Sequence, residues 1–337
     1  MKKIIGAISV FAALIVLMLP AALAKDWPLY NQFTRMHIHE NKADTASDDI
    51  ITKIMFMTLV QNDKELFYAL KDQLMLWEDN GVIKKRLDFE KTEIALMTAY
   101  LLLEADVRWS DDDLKKDAET IIRNVEKNHL YASSVLGTVL LPASSGFSTD
   151  QTFTIRPGAL PPFVLERIGL EHKAFQTYAR NTYQSAVRGS GDGFIADYMT
   201  FGNTGEFILT TKTEGSEDAA TFYLWLGITS TADPNRRLLL PLYENMIKAT
   251  SYDLLSPAVA NLFFHTTQGH GSIIFDACML PVVEGKVKDY LRTRLKNHVF
   301  AHTEISAHLL SLFALGHDES RFAFNKDGTL KITEDKY

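Results

Sequence analysis

The sequence contains one cysteine and four tryptophans among its 337 residues. The cysteine, Cys278, lies in the apolar run 275–280, a setting that suits a buried and unreactive thiol. A single cysteine excludes an internal disulfide, and this apolar setting does not favour a thiol nucleophile. Stability must therefore come from the hydrophobic core, which a content of 46% hydrophobic residues can supply.

The sequence also lacks a surplus of basic residues, low-complexity tracts and linkers rich in proline, glycine or serine. It has 35 basic and 42 acidic residues, a net charge of -7. This balance does not favour nucleic acid or an anionic membrane as a partner. The absence of a linker favours one large domain over two.

The first 24 residues have the pattern of a secretory signal peptide. Lys2 and Lys3 precede the apolar run 4–19, and Ala22-Leu23-Ala24 forms a small-residue cleavage site. The alternative is an uncleaved anchor, because the run is long for a signal. The pattern favours cleavage after Ala24. We therefore expect a single domain at residues 25–337 that is periplasmic or secreted and not bound to a membrane after cleavage.

Apolar residues recur at helical spacing along most of the chain, and hydroxyl or acidic side chains precede many of these runs. About ten helical segments joined by short loops favour a helical array, which could close into a double ring, over a sheet. The predicted helices begin at or near Ser47, Asp63, the stretch 88–93, Ser110, Phe163, Lys173, Asp218, Asn235, Ile273, Lys286 and Ser306. The second is expected to end at Asn80-Gly81, and the one from Asn235 to reach Ala249.

Three stretches indicate strands instead. Residues 36–40 alternate like a short strand, and its His37 and His39 could bind a metal, but no third ligand is evident. The sequence therefore predicts neither a metal nor another cofactor. Residues 193–198 and 206–210 predict a small β-hairpin that leads to Ser216. Residues 321–330 predict a strand and a turn.

Asp218 is the first candidate for a catalytic residue. Ser216 precedes an apolar run with helical spacing, so it caps a helix and Asp218 falls in its first turn. The free amide groups and the helix dipole favour the ionised carboxylate there, which could act as a base that activates water. The alternative is that Asp218 only caps the helix.

Beyond these patterns, the residues resemble glycoside hydrolase family 8 across nearly all of the chain after residue 24. No single motif is diagnostic, but the ordered set is hard to obtain by chance. The matching motifs are Trp27-Pro28-Leu29, Asn62-Asp63, Leu102-Leu103-Glu104-Ala105 with Trp109, Leu140-Leu141-Pro142, Gly146-Phe147, Leu160-Pro161-Pro162, Gly193-Phe194, Ser216, Asp218-Ala219, Tyr223, Trp225, Ala232-Asp233-Pro234, Met279-Leu280-Pro281, Leu312-Phe313, Gly316, Asp318 and Arg321-Phe322.

The resemblance implies an all-α fold, an (α/α)6 barrel with a small β-hairpin and long loops at the end that holds the substrate groove. It also implies an inverting endo-β-1,4-glucanase that uses one general acid and one general base. Its substrate would be cellulose or a related bacterial exopolysaccharide, and the machinery that synthesises this polysaccharide would be a possible partner.

The resemblance also assigns roles to residues. The family's base motif falls on residues 216–219, so Asp218 takes the role of the base. Its acid motif, Ser-Glu-Gly-Gln, corresponds to residues 47–50. Matching the serine makes Asp48 the acid, whereas counting back from Asn62 makes it Asp49, which is the favoured choice. Among the substrate-binding residues, Glu93 would contact the sugar at the cleavage point. Tyr223 and Trp225 complete this group.

Several family positions are changed, which leaves two leading readings open beside a third, a purely structural helical scaffold. The acid is one methylene shorter, the arginine after the base becomes Thr221, a tyrosine becomes Ala159, and a tryptophan-rich segment is compressed into residues 84–88. In the first reading the protein is a divergent hydrolase. In the second it is a non-catalytic relative that binds a polysaccharide or a secretion-machinery protein in the periplasm.

Overall fold

The computed structural model describes residues 27–39, 47–190, 194–211, 213–242, 259–261, 266–268, 272–300 and 304–333. The signal peptide predicted at residues 1–24 lies outside these ranges. Within them, no helix is both long enough and apolar enough to cross a membrane.

Twelve α-helices contain most of the residues that the structure describes. They are α1 (Pro28–Thr34), α2 (Asp48–Gln61), α3 (Lys64–Met75), α4 (Thr92–Trp109), α5 (Asp112–Asn128), α6 (Pro162–Glu171), α7 (Ala174–Gly189), α8 (Glu217–Ile228), α9 (Pro234–Leu239), α10 (Ile273–Met279), α11 (Gly285–Phe300) and α12 (Ile305–Asp318).

Local sequence signals explain where the first helices begin and end. The hydroxyl of Ser47 accepts a hydrogen bond from the N–H of Ile50 at the start of α2. Asn62 ends this helix in the left-handed region, with φ of 59°, a conformation that asparagine tolerates better than most residues. The Asp63 carboxylate then accepts from the N–H of Leu66 and starts α3. These caps confirm the two predicted starts.

Burial divides the helices into two sets. The even-numbered helices are buried on nearly all sides: in α4, for example, every residue from Thr92 to Ala105 except Glu93 is buried. An odd-numbered helix such as α5 buries a single stripe, which includes Leu114, Ile121 and Val125. A helix with one apolar stripe belongs on the outside of the core, and one buried all round belongs inside it.

The six even-numbered helices form a closed ring. α2 packs on α4, α4 on α6, α6 on α8, α8 on α10 and α10 on α12, and α12 returns to α2. The odd-numbered helices pack around this ring, as α5 does against α4 and α7 against α6. The fold is therefore an (α/α)6 barrel, which confirms the predicted class.

The strands are short and lie in the connections between helices. They are β1 (Leu76–Asp79), β2 (Val82–Lys85), β3 (Leu130–Ser133), β4 (Gly137–Leu140), β5 (Thr152–Ile155), β6 (Met199–Gly202), β7 (Glu214–Gly215), β8 (Val259–Asn261), β9 (Thr266–Gln268), β10 (Phe322–Phe324) and β11 (Leu330–Ile332). All described pairings are antiparallel. The pair β10 and β11 confirms the strand and turn predicted near the end of the chain.

Two local predictions were wrong. Residues Arg35–His39 form a π-helical turn that continues α1 rather than a strand, because nothing interrupts the helix that begins at Pro28. Helix α3 ends at Met75, not at Asn80-Gly81. Asn80 and Gly81 both have positive φ and form the two-residue turn of the β1–β2 hairpin, which is the conformation that Asn-Gly favours.

The hairpin before Ser216 differs from its prediction in the first strand. The strand lies at Met199–Gly202, later than expected, and pairs with β5, where Phe153 opposes Phe201. On its other side, residues 206–208 contact it through the bridge from Phe201 to Phe207. The partner strand lies more than forty residues earlier, so local alternation could not reveal it. Position 193 lies outside the described residues.

The predicted helix 235–249 is shorter in its described part. Helix α9 ends at Leu239 and continues as a 3-10 turn, Leu240–Leu242. Positions 243–249 lie outside the described residues.

Candidate active site

A cavity of about 390 Å³ opens at the N-terminal ends of the six inner helices. Every inner helix contributes residues at or near its first turn, together with the loop before α6. The lining consists of Ser47, Asp49, Ile50, Thr52, Lys53, Lys91, Glu93, Met97, Arg156, Gly158, Ala159, Pro161, Glu217, Asp218, Thr221, Trp225, Ile274, Glu304, Ser306 and Leu310. Helix N-termini favour negative charge, so this end of the barrel stabilises carboxylates.

Asp218 faces this cavity from the first turn of α8. The hydroxyl of Ser216 accepts a hydrogen bond from the N–H of Asp218 at 3.3 Å, which confirms the predicted cap. The Asp218 side chain is 54% exposed, and its Oδ2 lies 2.8 Å from Nη2 of Arg156. The cap is therefore made by Ser216, and the carboxylate of Asp218 is available to the cavity.

The carboxylate of Asp197 holds the start of α8 in place. Its Oδ1 accepts hydrogen bonds from the N–H groups of Ser216 at 2.8 Å and Ala219 at 2.9 Å. Its Oδ2 accepts from the Ser216 hydroxyl at 2.7 Å. Hydrogen bonds to an ionised carboxylate are among the stronger ones in proteins. They hold the turn that carries Asp218 in one position.

Gly158 joins the same helix to the loop before α6. Its carbonyl oxygen accepts from Thr221 Oγ1 at 2.9 Å and from Trp225 Nε1 at 3.0 Å. A Cβ atom at this position would overlap the backbone oxygen of Asp218. The 3-10 turn Pro157–Ala159 therefore lies directly against α8, and only glycine permits this approach.

Arg156, immediately before this turn, is the residue that the sequence analysis missed. Its Nη1 lies 2.6 Å from Glu93 Oε2 and its Nη2 lies 2.8 Å from Asp218 Oδ2. Its guanidinium also lies 5.6 Å from the centre of the Tyr198 ring. One signal in the sequence could have found it. The family's arginine is replaced by Thr221, so a cation beside Asp218 must come from another part of the chain.

Glu93 lies in the first turn of α4 and is more enclosed than Asp218. Its side chain is 16% exposed. Burial raises the pKa of its carboxyl group; the nearby Arg156 opposes this, and the charge of Asp49 adds to the rise. Because the net pKa shift is upward, Glu93 holds a proton to higher pH than an ordinary glutamate.

The two candidates for the acid at the start of α2 are placed differently. Asp49 lines the cavity, is 46% exposed and forms an ion pair with Lys53 one turn along the helix. Asp48 is not part of the lining and pairs with Arg86 at 3.0 Å. The cavity therefore brings Asp49, Glu93 and Asp218 together, and it leaves Asp48 outside.

The two aromatic candidates for substrate binding are largely enclosed. Tyr223 is 2% exposed and does not line this cavity; it faces a small crevice beside Phe194 and Phe275. Trp225 does line the cavity, but it is 4% exposed and its indole N–H is bound to Gly158. Trp225 therefore lies in the wall of the cavity, and Tyr223 lies in the core.

In the part of the chain that the structure describes, no group of three or more histidine, cysteine, aspartate or glutamate side chains could hold a metal ion. His37, considered with His39 in the sequence, instead lies with its Nε2 3.0 Å from Nδ1 of His308. This contact joins the turn after α1 to α12.

Comparison with known families gives one match over almost the whole chain. The sequence model of the family described as glycosyl hydrolases family 8 matches residues 7–319. An endoglucanase of Escherichia coli strain K12 is 24% identical over 336 residues, which cover 90% of each chain. An endoglucanase of Pseudomonas fluorescens is 24% identical over 377 residues and 91% of each chain.

Solved structures show the same architecture. An endo-1,4-D-glucanase from Vibrio fischeri superposes with a TM-score of 0.78 at 21% identity, over 91% of this chain and 99% of the other. The endo-β-1,4-glucanase CMCax from Acetobacter xylinum gives a TM-score of 0.66 at 14% identity, over 86% and 98% of the two chains. At these identities the likeness concerns the fold.

Proposed function

Because the chain belongs to glycosyl hydrolase family 8, we propose that it is an endo-acting hydrolase of β-1,4-linked glucan, either cellulose or a related bacterial exopolysaccharide. The observation that carries this proposal is the convergence of Asp49, Glu93 and Asp218 on one cavity. Hydrolysis with inversion needs one carboxylic acid to protonate the leaving oxygen and one carboxylate to activate water.

In this proposal Asp218 is the general base. It is the most exposed of the three carboxylates, so water can reach it. Its backbone is held by the bonds of Asp197 and Gly158 to α8. Its Oδ2 lies 2.8 Å from Nη2 of Arg156, and a carboxylate acts as a general base by accepting a proton from water. The general acid is one of the other two carboxyl groups, Asp49 or Glu93.

The test of the activity is the release of reducing sugar from carboxymethylcellulose and a panel of bacterial exopolysaccharides. Asp218→Asn should lower turnover by at least about a hundredfold, the lower range for a general base. Asp113→Asn is the matched control, because Asp113 lies in the first turn of α5 and is not among the residues that line the cavity. An Asp218→Asn enzyme as active as the control would remove Asp218 from the mechanism.

The stereochemistry of the first product tests the mechanism separately. An inverting enzyme that cleaves a β-linkage releases the α-anomer, which proton NMR distinguishes before mutarotation equilibrates the two forms. Initial release of the β-anomer would require a nucleophile instead of a base and would contradict the role given to Asp218.

We also propose that the protein acts outside the cytoplasm, on a polysaccharide that is being synthesised or exported. The support is the sequence pattern of residues 1–24, which is typical of an export signal. Mass spectrometry of the exported protein should find Lys25 at its N-terminus. An intact N-terminus in the mature protein would contradict the predicted cleavage.

A non-catalytic role in polysaccharide binding is the second candidate. All three carboxylates in the cavity, Asp49, Glu93 and Asp218, are paired with cations. This favours a binding role, because a carboxylate paired with a cation can still accept hydrogen bonds from sugar hydroxyls. In this case the wild-type protein and Asp218→Asn should bind the same glucan with similar Kd by calorimetry, and neither should release reducing sugar.

A further inference from the structure

We propose that Glu93, and not Asp49, donates the proton to the leaving group. This inference rests on the proposed hydrolase function and names the acid of the same site. Its basis is geometric: Glu93 and Asp218 both lie within hydrogen-bond distance of the guanidinium of Arg156, at 2.6 and 2.8 Å, and both face the cavity.

One guanidinium can neutralise only one of these two carboxylates. When two carboxyl groups share one cation, the better hydrated group keeps its charge and the more enclosed one keeps the proton. The Asp218 side chain is 54% exposed, and that of Glu93 is 16% exposed. The arrangement therefore separates their roles, with Asp218 as the ionised base and Glu93 as the protonated acid.

Asp49 is poorly suited to the same task. Its Oδ1 is paired with the ammonium group of Lys53, whose side chain is well enclosed. Asp49 thus has a cation of its own, whereas the guanidinium beside Glu93 is shared with Asp218. Asp49 is therefore better suited to orienting Lys53 or a sugar hydroxyl than to acid catalysis.

Two protons move in the proposed step. The proton of Glu93 moves to the glycosidic oxygen as the bond from C1 to that oxygen breaks. A water molecule forms the new bond to C1 and gives its proton to Asp218. The negative charge thus passes from Asp218 to Glu93, and Arg156 contacts both carboxylates, so it can stabilise the charge before and after the step. Exchange with solvent then restores both groups.

The experiment compares two substrates that differ in their need for an acid. Carboxymethylcellulose requires protonation of its leaving oxygen, whereas 2,4-dinitrophenyl β-cellotrioside releases a stable phenolate without it. We expect Glu93→Gln to lower kcat/KM on carboxymethylcellulose by about 10²- to 10⁴-fold, the usual contribution of a general acid. On the dinitrophenyl glycoside we expect it to retain activity within about tenfold of the wild type.

Asp49→Asn is the matched variant and should show no such selectivity between the two substrates. Glu93→Asp is the second variant at the proposed site. It keeps a carboxyl group with a shorter reach, so its loss on carboxymethylcellulose should be smaller than that of Glu93→Gln. Circular dichroism of each variant checks its fold.

The outcomes separate this inference from the function on which it rests. A selective loss in Asp49→Asn, or an equal loss on both substrates in Glu93→Gln, would overturn the role of Glu93 and leave the hydrolase intact. A folded wild-type protein with no activity on either substrate would remove the hydrolase function, and the assignment of Glu93 with it.

Discussion

Asp197 and Ser216, nineteen residues apart in the chain, are joined by two hydrogen bonds, from the Ser216 N–H at 2.8 Å and from its hydroxyl at 2.7 Å. The same carboxylate accepts a third bond, from the N–H of Ala219. The backbone of α8 is thereby fixed at the point where it carries the proposed base.

Asp197→Ala should therefore reduce both stability and activity. Loss of the acceptor leaves donors at the start of α8 unpaired, which should cost about 2–4 kcal/mol in the free energy of unfolding. Since small displacements of a catalytic group are costly, kcat should fall by about a hundredfold. Urea denaturation and reducing-sugar assays measure the two effects. Full activity with a lower stability would mean that Asp197 supports the fold alone.

Arg156→Gln should impair the site without unfolding the protein. The change removes the cation that contacts both Glu93 and Asp218, so both carboxyl groups lose a charge-assisted hydrogen bond that helps to position them. We expect kcat/KM to fall by at least about a hundredfold. Arg156→Lys should recover little of this, because an ammonium group lacks the fork that contacts two carboxylates at once.

The matched control for this prediction is Arg123→Gln. Arg123 is an exposed arginine of α5 whose partner is Glu119, one turn earlier, and exposed pairs of this kind contribute little to stability. Its variant should behave as the wild type in both assays. Activity of Arg156→Gln within about threefold of this control would show that the bridge is dispensable.

The features that could be predicted from the sequence are those that local signals determine. Helix caps act over three or four residues, so Ser47, Asp63 and Ser216 could be found without knowledge of the fold. The ring of inner helices was expected because successive apolar runs with short loops have few other ways to bury themselves. The family resemblance added Asp49 and Glu93 to the candidate Asp218, and the structure brings these three carboxylates together at one cavity.

The sequence did not reveal contacts between distant parts of the chain. The pairing of β5 with β6 and the bridge made by Arg156 both join residues more than forty positions apart, and neither leaves a local pattern. The sequence also could not decide between Asp48 and Asp49. Adjacent residues of a helix point in directions about 100° apart, so the choice depends on how the helix is rotated relative to the cavity. The structure shows that Asp49 faces it.

A buried carboxyl group away from the site should make stability depend on pH. Burial, with a contribution from the charge of Asp233, raises the pKa of Glu166 to about 7. The folded state therefore binds a proton that the unfolded state has released above its ordinary pKa of about 4.3. It follows that the stability contributed by this group is complete below that value and is lost as the pH rises towards 7.

Glu166→Gln removes this dependence and keeps an oxygen that can accept the hydrogen bond from Asn235 Nδ2, which is 2.6 Å long in the wild type. The variant should gain stability relative to the wild type by on the order of 2 kcal/mol between pH 5 and pH 8. Urea denaturation of both proteins at the two pH values measures this. A constant difference between them would show that Glu166 does not take up a proton on folding.

Gly158→Ala should displace the proposed base, Asp218, by shifting the backbone that carries it. The added methyl group would overlap the carbonyl oxygen of Asp218, so the loop and α8 must separate and the bonds from Thr221 and Trp225 to the Gly158 oxygen must weaken. Backbone displacement in a packed site should lower Tm by several degrees, and kcat by about a hundredfold.

Gly169→Ala is the matched control for this last change. Gly169 also lies close to a neighbour, but the atom that its methyl group would meet is Cγ of Gln176, at 2.6 Å. Because a flexible side chain can move where a backbone carbonyl cannot, this variant should keep its activity. Alanine also favours a helix over glycine, which offsets part of the crowding. Equal losses of activity in the two variants would show that added volume, rather than the position of Asp218, determines the effect.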